Sequence, residues 1–410
     1  MSMIKKMSKT QWIGLSLAIS ILFIEMLLYS LLIPIIPYFN GLFHPSSTMM
    51  GILFSSYAAA LLLATPWFGW LSDRIGRKLP IILGLAGLGI ATCLFAFAGN
   101  MAMLIAARFV QGAAAAAAWT AVLAMLADLF PGKSRGAAMG IALTGISTGS
   151  MLGAPIGGWL FEAGGFRAPF FCAAALIAAV IVISVLFLKE SMSAKTEAKA
   201  GGGMIPLLRN RSVLLIACVV LLAEITLTLL EPILPGYITE RLTVTPLGIG
   251  LMFGAMTLAY GLIAPFSGAL ATRFNPYVIM LSGLTGLAVA MPLLVASDSI
   301  VLELAGMILV GALVGFTLSP TLPTLGGIVD QGGDSGEYGT AYALFNMFHA
   351  VGMIIGPLVG GVLTDLLTVP AAVVAVSVVI VSCALMLFGV LKTMNKRKWS
   401  AVGKENGMQG

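Results

Sequence analysis

The chain has 410 residues, 59% of them hydrophobic and only 9% charged, against the roughly 25% charged residues of an ordinary soluble domain. That composition excludes a soluble globular protein and points to one built into a lipid bilayer, where a chain of this length holds about a dozen spans of about 20 residues each. The four cysteines, Cys93, Cys172, Cys218 and Cys383, fall inside apolar runs without CxxC spacing, so neither a disulfide framework nor a zinc site is expected and they read as small core residues.

In chain order, apolar stretches interrupted by polar or Gly/Pro-bearing turns fall near 11–36, 49–71, 79–98, 101–127, 137–160, 168–188, 212–236, 247–270, 277–296, 301–325, 338–364 and 370–391. The first is too long for the apolar region of a signal peptide and no small-residue cleavage site follows it, so it reads as the first of twelve transmembrane helices. Lys and Arg concentrate in short cytoplasmic loops. Twelve spans with both termini cytoplasmic put 19 of the 22 basic residues inside, leaving Arg167 and Arg241 outside and Arg108 alone within a span. The net charge of +6 is thereby a consequence of topology, and no nucleic-acid partner is implied by it.

The longest polar stretch, Lys189 to Arg211 with its Gly201-Gly202-Gly203 run, has linker composition. Short patterns recur on either side of it: Pro34-Ile-Ile-Pro37 and Pro232-Ile-Leu-Pro235, Gly69-Trp-Leu-Ser and Gly268-Ala-Leu-Ala, Gly153-Ala-Pro-Ile-Gly-Gly158 and Gly356-Pro-Leu-Val-Gly-Gly361. Their offsets of 198, 199 and 203 residues mark a parallel duplication of six spans. The expected architecture is an all-α polytopic membrane protein with an N-terminal six-helix bundle (1–190), a cytoplasmic linker (191–211), a C-terminal bundle pseudo-symmetric with the first (212–394) and a cytoplasmic tail (395–410). A substrate would bind near the midplane, between the halves.

The turn after the second span reads Gly69-Trp-Leu-Ser-Asp73-Arg74-Ile-Gly76-Arg77-Lys78. Gly69 and Gly76 permit close approach and turning, and Asp73 is spaced to pair with Arg77 or to sit against the N-terminus of a neighbouring helix, so Gly69, Asp73, Arg74, Gly76 and Arg77 are read as a gate. A merely basic loop would explain the arginines but not the Gly–Asp–Gly spacing. This run resembles the loop signature of the major facilitator superfamily, and the resemblance implies that superfamily's fold of two six-helix bundles. Leu104-Ile-Ala-Ala-Arg108-Phe-Val-Gln111-Gly112 and the glycine-rich runs in spans 5 and 11 are similar to the drug:proton antiporter branch.

Within that branch the chain resembles the vesicular monoamine transporters and their bacterial relatives. Span 1, from Glu25 through Pro34 to Pro37, looks like theirs, with Glu25 where that family has an amine-binding aspartate. Leu230-Glu231-Pro232-Ile-Leu-Pro235 is similar to their LEPALP, and Tyr260 and Tyr338-Gly-Thr-Ala-Tyr342-Ala also line up. Three charged family positions are neutral here, a lysine at Tyr57 and aspartates at Leu318 and Asn346, and the loop between spans 1 and 2 is short. The resemblance implies a prokaryotic plasma-membrane member acting as a monomer.

Ionisable residues inside a span cost about 2.5 kcal/mol or more each, which makes them functional candidates by default. Here they are Glu25, Glu224 and Glu231, set against the single base Arg108. Glu224 and Glu231 are seven apart, hence on one helix face. A carboxylate in a poorly hydrated cavity is released from its proton by a bound organic cation, so proton and amine compete for it. Glu25 and Glu231 are therefore read as substrate-binding, joined by Tyr57, Tyr260, Tyr342 and Asn346 as the resemblance implies, and Glu25, Glu224, Glu231 and Arg108 as proton-coupling. Tyr57, Tyr260, Tyr342 and Phe345 could offer aromatic faces to a cation, and His349, three residues after Asn346, a proton relay or an ordinary hydrogen bond.

The expected function is proton-coupled export of small cationic amines. A polyspecific multidrug:proton exporter fits the same residues, and a carrier for neutral or anionic nutrients fits them less well because only Arg108 offers positive charge. No nucleotide motif, metal-ligand cluster or nucleophile–base pair is present, so neither an enzyme nor a cofactor is expected.

Overall fold

A computed structural model describes residues 7–130, 134–188, 208–332 and 338–406, with side chains over 7–130, 134–188, 208–329, 341 and 343–393. The linker expected at 191–211 lies mostly outside these residues, as do the side chains of the tail expected at 395–410. Inside a bilayer the backbone must satisfy its own hydrogen bonds, which leaves the helix as the solution for each apolar run. The helices are α1 (Lys9–Leu31), α2 (Ile36–Phe43), α3 (Ser47–Ile75), α4 (Lys78–Ala96), α5 (Met101–Leu129), α6 (Ser134–Gly164), α7 (Ala168–Phe187), α8 (Arg211–Leu242), α9 (Pro246–Ala271), α10 (Pro276–Ala296), α11 (Ile300–Leu318), α12 (Thr321–Gly332), α13 (Tyr338–Leu366) and α14 (Val369–Asn406). Among the described residues they form twelve segments long and apolar enough to cross a membrane, with α1 and α2 sharing one span and α11 and α12 another.

Helix ends follow local chemistry. Ser8 and Gln11 close a capping box on α1, Ser46 caps α3, Asn100 caps α5, and Thr245 caps α9 just ahead of Pro246. His44 and Thr243, 199 residues apart, both adopt left-handed conformations, φ 45° and 50°, ending α2 and α8. The duplication thus extends to the caps. It is not perfect: Pro34 and Pro37 break the first span into a 3-10 turn at Ile33–Ile35, while α8 carries Pro232 and Pro235 without interruption.

Within each half the packing is set by small residues. Gly145, Gly149, Gly153 and Gly157 of α6 lie so close to the α1 backbone from Ile19 to Leu31 that a β-carbon would collide with it, and Gly352, Gly356 and Gly360 of α13 lie likewise against α8 from Leu221 to Leu229. Between the halves, α3 packs on α13 and α6 on α9. All the hydrogen bonds joining these helices among the described residues use 47–55 of α3, 162 of α6, 247 of α9 and 354–365 of α13. The glycine close approaches across the seam, at Gly51, Gly158, Gly250, Gly254 and Gly361, lie in the same stretches. Nearer the basic α3–α4 turn, Thr65, Thr144, Ser147 and Thr148 of α3 and α6 are exposed, and none of these four bonds across to the other half. The halves therefore meet at the end remote from that turn and part towards the basic face.

The cysteines correct the expectation of core placement: Cys93 and Cys172 are exposed, Cys218 and Cys383 half-buried. In a membrane protein the lipid-facing side of a helix is as apolar as its core side, so an apolar run does not tell the two apart.

Candidate functional site

Four elements bring the predicted ionisable residues together in the interior: α1 supplies Glu25 and Tyr29, α3 Phe54 and Tyr57, α5 Arg108 and Gln111, and α8 Glu224 and Glu231. Glu25, Glu224, Glu231 and Arg108 are all buried. The Tyr57 hydroxyl donates a hydrogen bond to Glu25 Oε1, and Glu25 Oε2 is buried with no hydrogen-bond partner among the described residues. The Tyr29 hydroxyl donates to Glu231 Oε2 at 2.6 Å, across the seam between the halves. The two tyrosine rings meet edge-on with centroids 4.9 Å apart. A carboxylate of each half thus ends one continuous line: Glu25, Tyr57, Tyr29, Glu231.

Arg108 lies beside this line rather than in an ion pair. Its guanidinium sits 4.5 Å from the Tyr29 ring centroid and 5.1 Å from those of Phe54 and Tyr57. It donates to Gln111 Oε1 at 2.9 Å and to the Tyr29 carbonyl at 3.4 Å. Among the described residues no carboxylate is within 4.0 Å of it. A fully buried cation must find compensation, and aromatic faces supply about 0.5–2 kcal/mol each without requiring a carboxylate to stay ionised. Glu25 and Glu231 are thus bonded to tyrosine hydroxyls and not tied to Arg108.

Glu224 takes a different partner. His349 Nδ1 of α13 lies 2.9 Å from Glu224 Oε1, with the histidine side chain 39% exposed and the glutamate 4%. Phe345 stacks on the imidazole at 6.4 Å between centroids. Gly352 makes this pairing possible, since a β-carbon there would meet Glu224 Cβ at about 2.5 Å. Tyr260 of α9 is half-buried and Asn346 of α13 exposed, neither joined to the tyrosine line. The side chain of Tyr342 lies outside those described.

At the α3–α4 turn, Gly76 adopts φ 90°, a conformation that glycine takes at little cost. Arg77 Nη1 pairs with Asp73 at 2.7 Å and Arg77 Nε with Asp128 of α5 at 3.0 Å, while Ser72 accepts a third bond. Burial alone would lower the Arg77 guanidinium, but its hydrogen bonds to Asp73 and Asp128 hold it above its ordinary range. Arg74 lies over the Trp70 ring at 4.3 Å. Gly69, expected to permit a close approach, has open space where its β-carbon would be, because this end of α3 has parted from the other half. Among the described residues Asp73 pairs with Arg77 rather than with the N-terminus of a neighbouring helix.

A family model described as the Major Facilitator Superfamily matches residues 18–225 and, a second time, 216–408. The chain belongs to the Major Facilitator Superfamily. One superfamily match per half accounts for the recurring motifs, and membership sets the enzyme reading aside. The chain is 30% identical over 333 residues to the chromaffin granule amine transporter of Rattus norvegicus, which covers 80% of this chain and 63% of that protein. It is 29% identical to the synaptic vesicular amine transporter of Homo sapiens over 83% of this chain and 66% of that protein. The chain thus spans slightly under two thirds of these relatives' length. Its fold superposes with a TM-score of 0.80, at 14% identity and over 93% of this chain and 96% of the other, on a bacterial homologue of the human lysosomal transporter Spinster in an inward-facing and unoccupied conformation.

On this superfamily scaffold, sequence reasoning missed Tyr29, Phe54 and Gln111. Tyr29 follows Glu25 by four residues and Gln111 follows Arg108 by three, so both were detectable as same-face helical neighbours. It also passed over Glu303, buried in the first turn of α11. No group of three His, Cys, Asp or Glu side chains able to hold a metal ion occurs among the described residues.

Proposed function

We propose that this chain is a proton-coupled antiporter that exports small cationic amines by alternating access. The observation that carries the reading is the line Glu25–Tyr57–Tyr29–Glu231 across the seam, with Arg108 unpaired beside it. Two carboxylates against one fixed guanidinium leave one unit of negative charge when both are ionised. A single proton or a monocationic amine neutralises it, so each displaces the other. The aromatic faces of Tyr29 and Tyr57 suit an ammonium group as they suit the guanidinium, and the amine transporters similar to this chain support the substrate class.

The Glu224–His349 pair lies within the C-terminal half and offers a second place for a proton, on the imidazole. Tyr260 and Asn346 line the amine's path, and the Asp73–Arg77–Asp128 cluster keeps α3 and α5 moving together as a gate. We assign the basic face and both termini to the cytoplasm, so that the cleft described here faces inward, and the protein to the plasma membrane of a prokaryote as a monomer.

Substrate-dependent proton release from detergent-purified protein, screened over dopamine, serotonin and cationic dyes, tests the reading. Release with monoamines alone supports a dedicated carrier, release with dyes as well a multidrug exporter, and no release from any of them sinks the antiport model. Glu231→Gln should abolish the release while leaving the protein folded.

A further inference from the structure

At the face remote from the basic turn, a carboxylate of each half reaches across the seam to the start of a helix of the other. Asp365, at the end of α13, accepts hydrogen bonds from the backbone N–H groups of Ser47 (Oδ1, 2.8 Å) and Thr48 (Oδ2, 2.8 Å) in the first turn of α3. Glu162, at the end of α6, accepts one from the backbone N–H of Leu247 in the first turn of α9 (Oε1, 2.8 Å). The two contacts are copies. Residue 162 plus 203 is 365, the offset that relates Gly153 to Gly356 and Gly158 to Gly361, and residue 48 plus 199 is 247. The same symmetry governs the approach: a β-carbon at Gly361 would collide with the Ser47 carbonyl and one at Gly158 with that of Pro246. One turn before each carboxylate, then, a glycine lets the helix end lie directly on the N-terminal turn that the carboxylate binds.

The first N–H groups of a helix lack intrahelical partners and carry the positive end of its dipole, so a carboxylate is favoured there. Such a cap usually comes from the same chain segment. Here each cap comes from the opposite half, and outward opening, which separates the ends of α3 from α13 and of α6 from α9, must break both.

We infer that Glu162 and Asp365 are a symmetric pair of outer clasps, positioning residues that hold the external gate shut and so set the inward-to-outward balance of the transporter. Their stabilisation exists in one state only, which is the condition for an interaction to shift a conformational equilibrium. Asp365, with two N–H bonds, is the stronger clasp and Glu162 the weaker. The inference rests on alternating access but not on the identity of the cargo.

The test measures distances between spin labels at Leu42→Cys and Leu367→Cys, exposed positions on opposite halves of this face, in a variant lacking the four native cysteines and reconstituted in lipid. The parent should show a dominant short distance. Glu162→Ala should lower the ratio of outer-closed to outer-open molecules about threefold, Asp365→Ala about tenfold and the double variant further, as loss of one or two charge-assisted caps implies. Asp365→Asn, which keeps an oxygen acceptor but not the charge, should fall between parent and Asp365→Ala, a graded response that a folding defect would not produce. An unchanged distance distribution in the double variant would overturn the proposal, as would equal effects of Asp365→Asn and Asp365→Ala. The measurement needs neither substrate nor proton gradient, so failure of the amine reading leaves its outcome intact, and the reverse.

Discussion

Tyr29 and Glu231 lie 202 residues apart and in different halves, yet the tyrosine hydroxyl donates to the carboxylate at 2.6 Å in the interior. The same ring rests on the Arg108 guanidinium. One side chain therefore touches the guanidinium of the N-terminal half and a carboxylate of the C-terminal half.

Tyr29→Phe keeps the ring over Arg108 and removes only the donor. A hydrogen bond to a charged group contributes about 1.5–3 kcal/mol, so amine uptake into proteoliposomes should fall roughly tenfold or more, with thermal stability in detergent nearly unchanged. Uptake at the parental rate would separate this bond from transport.

Arg108 is fully buried and cradled by three rings. Arg108→Ala removes the guanidinium from the site and leaves a large void between the three rings; melting in detergent should move down sharply. Arg108→Lys keeps the charge but loses the planar guanidinium that lies flat against aromatic faces. It should fold yet transport poorly, separating the structural from the electrostatic part of the role.

His349→Gln retains a hydrogen-bonding side chain beside Glu224 but cannot take up a proton near neutral pH. If the Glu224–His349 pair carries a proton in the cycle, the number of protons exchanged per amine should drop while amine binding is preserved. Parallel fluxes of proton and labelled amine in the same vesicles give that ratio, and an unchanged ratio assigns the pair to structure.

Gly149 and Gly140 share α6 but not surroundings. A β-carbon at Gly149 would run into the Phe23 carbonyl of α1, while at Gly140 nothing lies within 4 Å. Gly149→Ala should therefore lower the melting temperature by prising α6 from α1. Gly140→Ala should be neutral or slightly stabilising, since alanine is favoured over glycine in a helix by about 0.5–1 kcal/mol.

Much of this was legible without coordinates because lipid imposes strong rules on sequence. Glu25, Glu224, Glu231 and Arg108 stand out in apolar runs, and the basic loops count the spans. The Gly–Asp–Gly turn and the offsets near 200 residues disclose the two halves. By itself the sequence determined that Glu25, Glu224, Glu231 and Arg108 carry charge into the membrane, though it passed over Glu303, and how many times the chain crosses it, since both depend on the cost of leaving polar groups in hydrocarbon. Partnership followed from another scale. Glu25 and Glu231 take tyrosines rather than Arg108, Glu224 takes His349, and Asp365 and Glu162 cap helices of the opposite half. These pairings depend on how each helix is rotated and how closely glycines let it approach its neighbour, quantities of a few ångströms that no periodicity encodes and only the packed tertiary structure decides.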